Sequence, residues 1–325
     1  MDYVNIVIGL VLLLFAGDFL VRGAVSLAQR FGVPTLIIGL TIIAFGTSAP
    51  ELVVGIDAVV TGAPTLALGN VVGSNIANVL LVIGIPAFIA PMACNAPKMG
   101  RNMIIMIAAG ALFFFMASSG TITSGNGFVL LLLLFCFLLF SALQGKKSKG
   151  DAELIAEYEE LAEEPVSYGK ASFLIIAGLV GLSFGADLLV GGSVNVARSL
   201  GVSEAVIGLT LVAIGTSLPE LVTAIVAAVR GHCDVAVGNV IGSNIFNTLG
   251  IIGVSSLFGD IPVPDSFIEF DLWVMLGASL LLIPYYKTRK HVGKISGLVM
   301  IILYSGYMYH LANSAESASA MGMPL

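Results

Sequence analysis

The chain has 325 residues, of which 58% are hydrophobic and only 10% charged. A water-soluble domain carries about 25% charged residues, so most of this surface has lipid as its solvent. The net charge of −6 excludes the basic footprint of a nucleic-acid-binding protein.

In chain order, apolar runs of about 20 residues, enough to cross a bilayer, fall at 4–28, 35–60, 66–91, 102–119, 126–143, 172–197, 204–229, 235–258, 270–286 and 295–312. Each is read as a helix, because a backbone in hydrocarbon must satisfy its own hydrogen bonds. The first run has no positive segment before it and no clean cleavage site after it, so it is expected to stay as a membrane helix and not to be removed as a signal peptide. Residues 144–171 form the one sizeable polar segment, a basic patch followed by an acidic stretch without the spaced ligands of an EF-hand loop. The expected fold is therefore an all-α membrane protein with ten transmembrane helices. A first five-helix unit (1–143) and a second (172–325) are joined by a linker loop (144–171). Cys94, Cys136 and Cys233 are isolated and make neither a disulfide framework nor a metal motif.

Positively charged residues concentrate in cytoplasmic loops. With ten helices and an external N-terminus, thirteen of the fourteen Lys and Arg fall on the inner side and only Arg198 on the outer. Both termini are thus expected outside, and the 144–171 loop in the cytoplasm. The short linker points to a prokaryotic inner (plasma) membrane.

The chain also repeats itself. Val11 to Ile85 aligns with Val180 to Val254 at a constant offset of 169, without a gap and with about half the positions identical. GTSAPELV (46–53) returns as GTSLPELV (215–222), and GNVVGSNIAN (69–78) as GNVIGSNIFN (238–247), inside the wider repeat regions 39–84 and 208–253. Five helices separate the starts of the two copies. Five is odd, so the second copy enters the membrane from the opposite side, giving two inverted-topology five-helix repeats. In secondary transporters, such repeats hold the substrate site near the bilayer midplane.

The candidate site residues lie inside these runs: Thr47, Ser48, Pro50 and Glu51 in the second, and Thr216, Ser217, Pro219 and Glu220 in the seventh. The third carries Asn70, Ser74, Asn75 and Asn78, and the eighth carries Asn239, Ser243, Asn244 and Asn247. A carboxylate at bilayer depth is costly and marks function by default; two at matched positions strengthen the case. Each Glu follows a proline that releases a backbone carbonyl of the preceding turn (Gly46 or Gly215), with the Thr47 and Thr216 carbonyls in the same loosened turn. Such a proline serves either as a plain kink or as a way to offer carbonyls to a cation. Ser74 and Asn78, like Ser243 and Asn247, stand four residues apart on one helix face, a stripe that suits either ligation or interhelical packing. Carboxylate, hydroxyl, amide and carbonyl oxygens without His or Cys select hard cations such as Ca²⁺, Mg²⁺ or Na⁺. One Ca²⁺ or two Na⁺ balance two carboxylates.

These paired motifs resemble the two α-repeats of the cation/calcium antiporter superfamily, in particular its sodium/calcium exchanger branch, and the resemblance covers the full chain. It implies an antiporter, not an enzyme, that exchanges Ca²⁺ for Na⁺ by alternating access, with no cofactor beyond the transported ions. Glu51, Glu220 and the carbonyls of Thr47 and Thr216 would hold Ca²⁺. Ser48, Ser217, Ser74 and Ser243, with the same Thr and Glu residues, would hold Na⁺. Asn78 and Asn247 would line the centre, and helices 1 and 6 would slide against the rest. Many relatives have Asp where this chain has Asn247, which argues against K⁺ co-transport. Asp18 and Asp187, matched at the 169 offset, and Asp57, unmatched, are candidates for lining the vestibules. A Ca²⁺/H⁺ antiporter of the same fold is the nearest rival and a cation channel a distant one. An intramembrane hydrolase is disfavoured, because His232, His291 and His310 lie near helix ends and no GxSxG elbow is present.

Overall fold

The computed structural model describes residues 2–31, 39–62, 64–90, 92, 99–145, 166–199, 213–288 and 292–320, with some side chains inside these ranges excepted. The long helices are α1 (Asp2–Phe31), α4 (Pro64–Ile89), α5 (Met99–Ala117), α6 (Ser124–Gly145), α7 (Tyr168–Ser199), α10 (Cys233–Phe258), α11 (Phe267–Tyr285) and α12 (Lys294–Ala320). Between them lie the short helices α2 (Ala44–Thr47), α3 (Ala49–Val60), α8 (Ala213–Thr216) and α9 (Leu218–Val229).

Among the described residues, eight helices are long and apolar enough to cross a membrane, and nine if the bent pair Thr41–Thr47 and Glu51–Val60 makes one span. Of the ten expected spans, the one at 204–229 has residues 204–212 outside the described residues. So does most of the expected linker, 146–165. The observed bounds lie within a few residues of the expected ones for the other uninterrupted spans, except that α12 runs eight residues past 312; α1, for example, begins two residues before and ends three after 4–28.

The two prolines act where their sequence places them. The second span breaks at Ser48 (φ −88°, ψ 7°) and bends by 51°. The matched residue, Ser217 (φ −89°, ψ 3°), separates α8 from α9 in the same way. Beyond each break the helix resumes for twelve residues and stops at a left-handed glycine, Gly62 (φ 85°) or Gly231 (φ 78°). A helix end of this kind favours glycine because it lacks Cβ.

The helices that carry the asparagines, α4 and α10, are the innermost. The hydrophobic stretch of α10 is wholly buried. Each contains a π-helical turn, at Asn78–Val82 and at Phe246–Ile251. Such turns are uncommon and cluster at functional sites. Toward the outside, Phe115, Phe128, Phe135, Phe173, Ile176, Trp273 and Ile302 are exposed, as expected where the neighbour is hydrocarbon.

Helices α1 and α7 occupy matched places in the two copies and pack on each other along their length. They run antiparallel. Asn195 Nδ2 donates to Asp2 Oδ1 (3.1 Å) at one end, and at the other the Arg30 Nε donates to the Val166 carbonyl and the Tyr168 hydroxyl to the Arg30 carbonyl (3.2 Å). Glycines permit the close approach. A Cβ on Gly178 would lie 2.7 Å from Leu20 N, and one on Gly9 would lie 2.7 Å from Leu189 N.

Two short backbone pairings tie loops together. Strand β1 (Thr121–Ile122) pairs antiparallel with β2 (Ile261–Pro262), and Met92 bridges to Val292.

Candidate functional site

Glu51 and Glu220 are the third residues of α3 and α9, just past the two breaks. They are 1% and 0% exposed and lie close enough to act on each other electrostatically. Four elements meet around them: the two broken spans, α4 and α10. Thr47, Ser48, Ser74, Asn75, Asn78, Ser217, Asn239, Ser243, Asn244 and Asn247 are all buried.

The contacts run between the copies. The Ser48 hydroxyl donates to Glu220 Oε1 at 2.9 Å, with Thr47 and Ser243 also close to that carboxyl. The Thr47 hydroxyl lies 3.3 Å from Asn239 Oδ1, and the Thr216 hydroxyl 3.3 Å from Asn70 Oδ1. The 169 offset exchanges these two contacts. Asn70 and Asn239 therefore hold the threonines at the breaks. Asn78 Nδ2 donates to Asn244 Oδ1 (3.0 Å), and Asn244 Nδ2 to the Asn75 carbonyl (3.2 Å). Asn75 Nδ2 donates to Thr248 Oγ1 (2.9 Å). Thr248 completes this network and was not singled out from the sequence; its place directly after Asn247 in the repeated motif was the available signal.

Symmetry is broken at the carboxyls. Ser48 serves Glu220, whereas Ser217 Oγ and Glu51 Oε2 have no hydrogen-bond partner. Also without a protein partner are Glu220 Oε2, Ser74 Oγ, Ser243 Oγ, and the side-chain oxygens of Asn75, Asn78 and Asn247. A buried polar atom left unpaired costs about 1–3 kcal/mol, so this concentration in one place is far from neutral. The amide nitrogens of Asn70, Asn239 and Asn247 are unpartnered as well, but the oxygens outnumber them, and a cation would satisfy those oxygens together. Among the described residues no three His, Cys, Asp or Glu come together. The charge of the site thus rests on two carboxylates, with neutral oxygens around them, and that donor set fits a hard cation.

One relation can be tested on its own. Removing the Asn239 side chain leaves the Thr47 hydroxyl the weaker approach to the Ala44 carbonyl (3.4 Å) and the nearby Glu220 carboxyl. Asn239→Ala and Asn70→Ala are each expected to weaken ion binding about tenfold, as the loss of one buried hydrogen bond of roughly 1–1.5 kcal/mol does. Calorimetric titration of the purified variants checks this, and similar losses are expected in both.

Of the three vestibule candidates, Asp187 is exposed, and the Asp57 side chain lies outside the described residues. Asp18 forms ion pairs with Arg230, at the end of α9, and with Arg22 (3.8 Å).

With this geometry in view, comparison with known proteins is decisive. The family model described as "Sodium/calcium exchanger protein" matches residues 2–143 and 170–312. The chain belongs to the sodium/calcium exchanger family. It is 36% identical over 312 residues to the "Putative antiporter CaxA" of Alkalimonas amylolytica, covering 95% of this chain and 98% of that protein. It is 33% identical over 340 residues to the "Sodium/calcium exchanger MaX1" of Methanosarcina acetivorans, covering 94% and 97%. Among solved structures it is similar to the sodium-calcium exchanger NCX_Mj soaked with Na⁺ and Sr²⁺. That match has a TM-score of 0.82 and 31% identity, over 95% of this chain and 97% of that one. As a member of the exchanger family, the chain is an integral membrane transporter of the cation/Ca²⁺ antiporter type.

Proposed function

We propose that this exchanger moves Ca²⁺ against Na⁺ by alternating access to one site shared by both ions. The observation that carries the reading is the cluster of partnerless buried oxygens around Glu51 and Glu220. Ca²⁺ takes six to eight oxygens in flexible geometry, whereas Mg²⁺ demands a near-ideal octahedron and dehydrates reluctantly. In this reading Glu51 and Glu220 grip Ca²⁺ together with the Thr47 and Thr216 carbonyls. Ser48, Ser217, Ser74 and Ser243 add the oxygens that Na⁺ uses around the same carboxylates, and Asn78 and Asn247 line the centre. The two ions compete for overlapping oxygens, and that competition couples their movements.

The reading includes ten helices in two inverted repeats. Matched helices α1 and α7 run antiparallel, as inversion requires. Ten alternating crossings put the β1 and β2 loops on one side and the Met92 and Val292 loops on the other, so each loop pairing joins segments of the same side. The Arg30–Val166 and Asp2–Asn195 contacts agree with the same alternation. Both termini are then outside and the linker cytoplasmic, in a prokaryotic plasma membrane.

The test is Ca²⁺ uptake into proteoliposomes with Na⁺, K⁺ and H⁺ gradients imposed one at a time. An outward Na⁺ gradient is expected to drive uptake, and a K⁺ gradient to add nothing. Uptake driven by a pH gradient alone would make the protein a Ca²⁺/H⁺ antiporter instead.

A further inference from the structure

Asp18 is a charged residue in the middle of a membrane helix, and its ion pairs are with Arg230 and Arg22, not with the ion-site residues described above. Its partner, Arg230, caps the end of α9, the helix that carries Glu220. Val222, Val226 and Arg230 recur every four residues and so lie along one face of α9. Gly17 of α1 is seated on that face. A Cβ added there would lie 2.7 Å from Val222 Cγ1 and 3.4 Å from Val226 Cγ2. The glycine contact and the ion pair are thus consecutive points of one seam between α1 and the Glu220 helix. Arg22, one turn after Asp18, draws on the same carboxylate at 3.8 Å. His232 lies two residues beyond Arg230. Burial, and then the neighbouring Arg230 charge, push its imidazole below the usual range, so it adds no positive charge to this turn near pH 7.

The repeat makes the pair unusual. At the 169 offset Asp18 corresponds to Asp187, but Arg230 corresponds to Thr61 and Arg22 to Gly191. The second copy keeps the acid without either cation, and Asp187 is exposed. Among the described residues, the fastening exists at one end of the transporter only.

We infer that the Asp18–Arg230 pair is a one-sided latch that holds α1 against the Glu220 helix and biases the transporter toward the conformation closed on the Arg230 face. This rests on the alternating-access reading above. If α1 moves relative to the site helices in order to open that face, the pair must break there, and among the described residues no equivalent pair resists opening on the other face. A partly exposed ion pair contributes at most about 1 kcal/mol, enough to change a two-state population roughly fivefold. It is a bias and not a lock, as a carrier that must cycle requires.

Cys233 supplies the reporter, three residues after Arg230 at the start of α10. In a C94A/C136A background it is the one remaining thiol. It would be labelled with a membrane-impermeant maleimide applied to the Arg230 face of oriented vesicles. D18N and R230Q are each expected to speed labelling about fivefold, and the D18N/R230Q double variant to match either single one. D18E and R230K, which keep both charges, are expected to stay within twofold of the parent. Parental rates in D18N and R230Q, or single effects that multiply in the double variant, would overturn the latch. Ca²⁺ binding to the parent is measured alongside by calorimetry. Its absence would count against the exchange reading, while the labelling rates would still decide whether the pair restrains this face.

Discussion

Replacing Glu51 by Gln, or Glu220 by Gln, is expected to abolish Ca²⁺ flux while the protein continues to fold. Glutamine keeps the shape of the side chain and removes the charge. Two carboxylates balance one divalent cation, and with one of them neutral the loaded site carries an uncompensated positive charge in a buried place. Interactions with a charged group contribute about 1.5–3 kcal/mol each, and a carboxylate can offer two oxygens to one ion. The loss in affinity should therefore be at least a hundredfold, with tenfold for every 1.4 kcal/mol. Folding should survive, because Ser48 can still donate to the amide oxygen of a glutamine at 220, and because the change relieves the mutual repulsion of two buried acids. The check is radiolabelled Ca²⁺ uptake by variants that elute as a single species with native helical content. Wild-type flux in either variant would remove the two residues from the site.

That prediction was available from the sequence. Apolar runs separated by short polar breaks gave the helices, because hydrocarbon leaves the backbone no alternative. The gapless repeat singled out Glu51 and Glu220 before any coordinates, since an acid in an apolar run has few reasons to be there and two at the same offset have fewer. The prolines placed the helix breaks within two residues of Ser48 and Ser217. What could not be read was pairing across the chain. Thr47 meets Asn239, and Ser48 meets Glu220, over separations of 192 and 172 residues. Nothing in either motif says which residue of the other copy it faces. The asymmetry was hidden for the same reason. Two nearly identical motifs predict identical surroundings, yet Ser217 and Glu51 do not reproduce the bond that Ser48 makes to Glu220. The sequence marks Asp18 as an acid matched by Asp187 and a candidate for lining a vestibule, but its partner Arg230 is 212 positions away, and no periodicity connects them. No sequence pattern marks the buried Asp271, which accepts a hydrogen bond from Tyr307 at 2.9 Å, because each residue lies near the end of its own span.

The second large effect is expected at Gly178, where the requirement is for space and not for chemistry. A Cβ there would lie 2.7 Å from the Leu20 amide nitrogen, 2.8 Å from Leu20 Cβ and 2.9 Å from the Ala16 carbonyl oxygen. Two of those atoms belong to the backbone of α1, which cannot rotate away as a side-chain tip can. Gly178→Val must therefore push α1 and α7 apart. Overpacking of this kind costs about 1–3 kcal/mol, and here it also widens a seam that α1 and α7 share along their length. Transport is expected to fall more than tenfold, with a melting temperature several degrees lower. Gly191 is the control within the same helix: nothing lies within 4 Å of a Cβ built there, so Gly191→Val should leave both measurements close to the parent. The contrast matters because both substitutions make the same chemical change in α7. If they behaved alike, helix propensity would explain the result; a loss confined to Gly178 would show that close contact between the two matched helices is itself a requirement of transport.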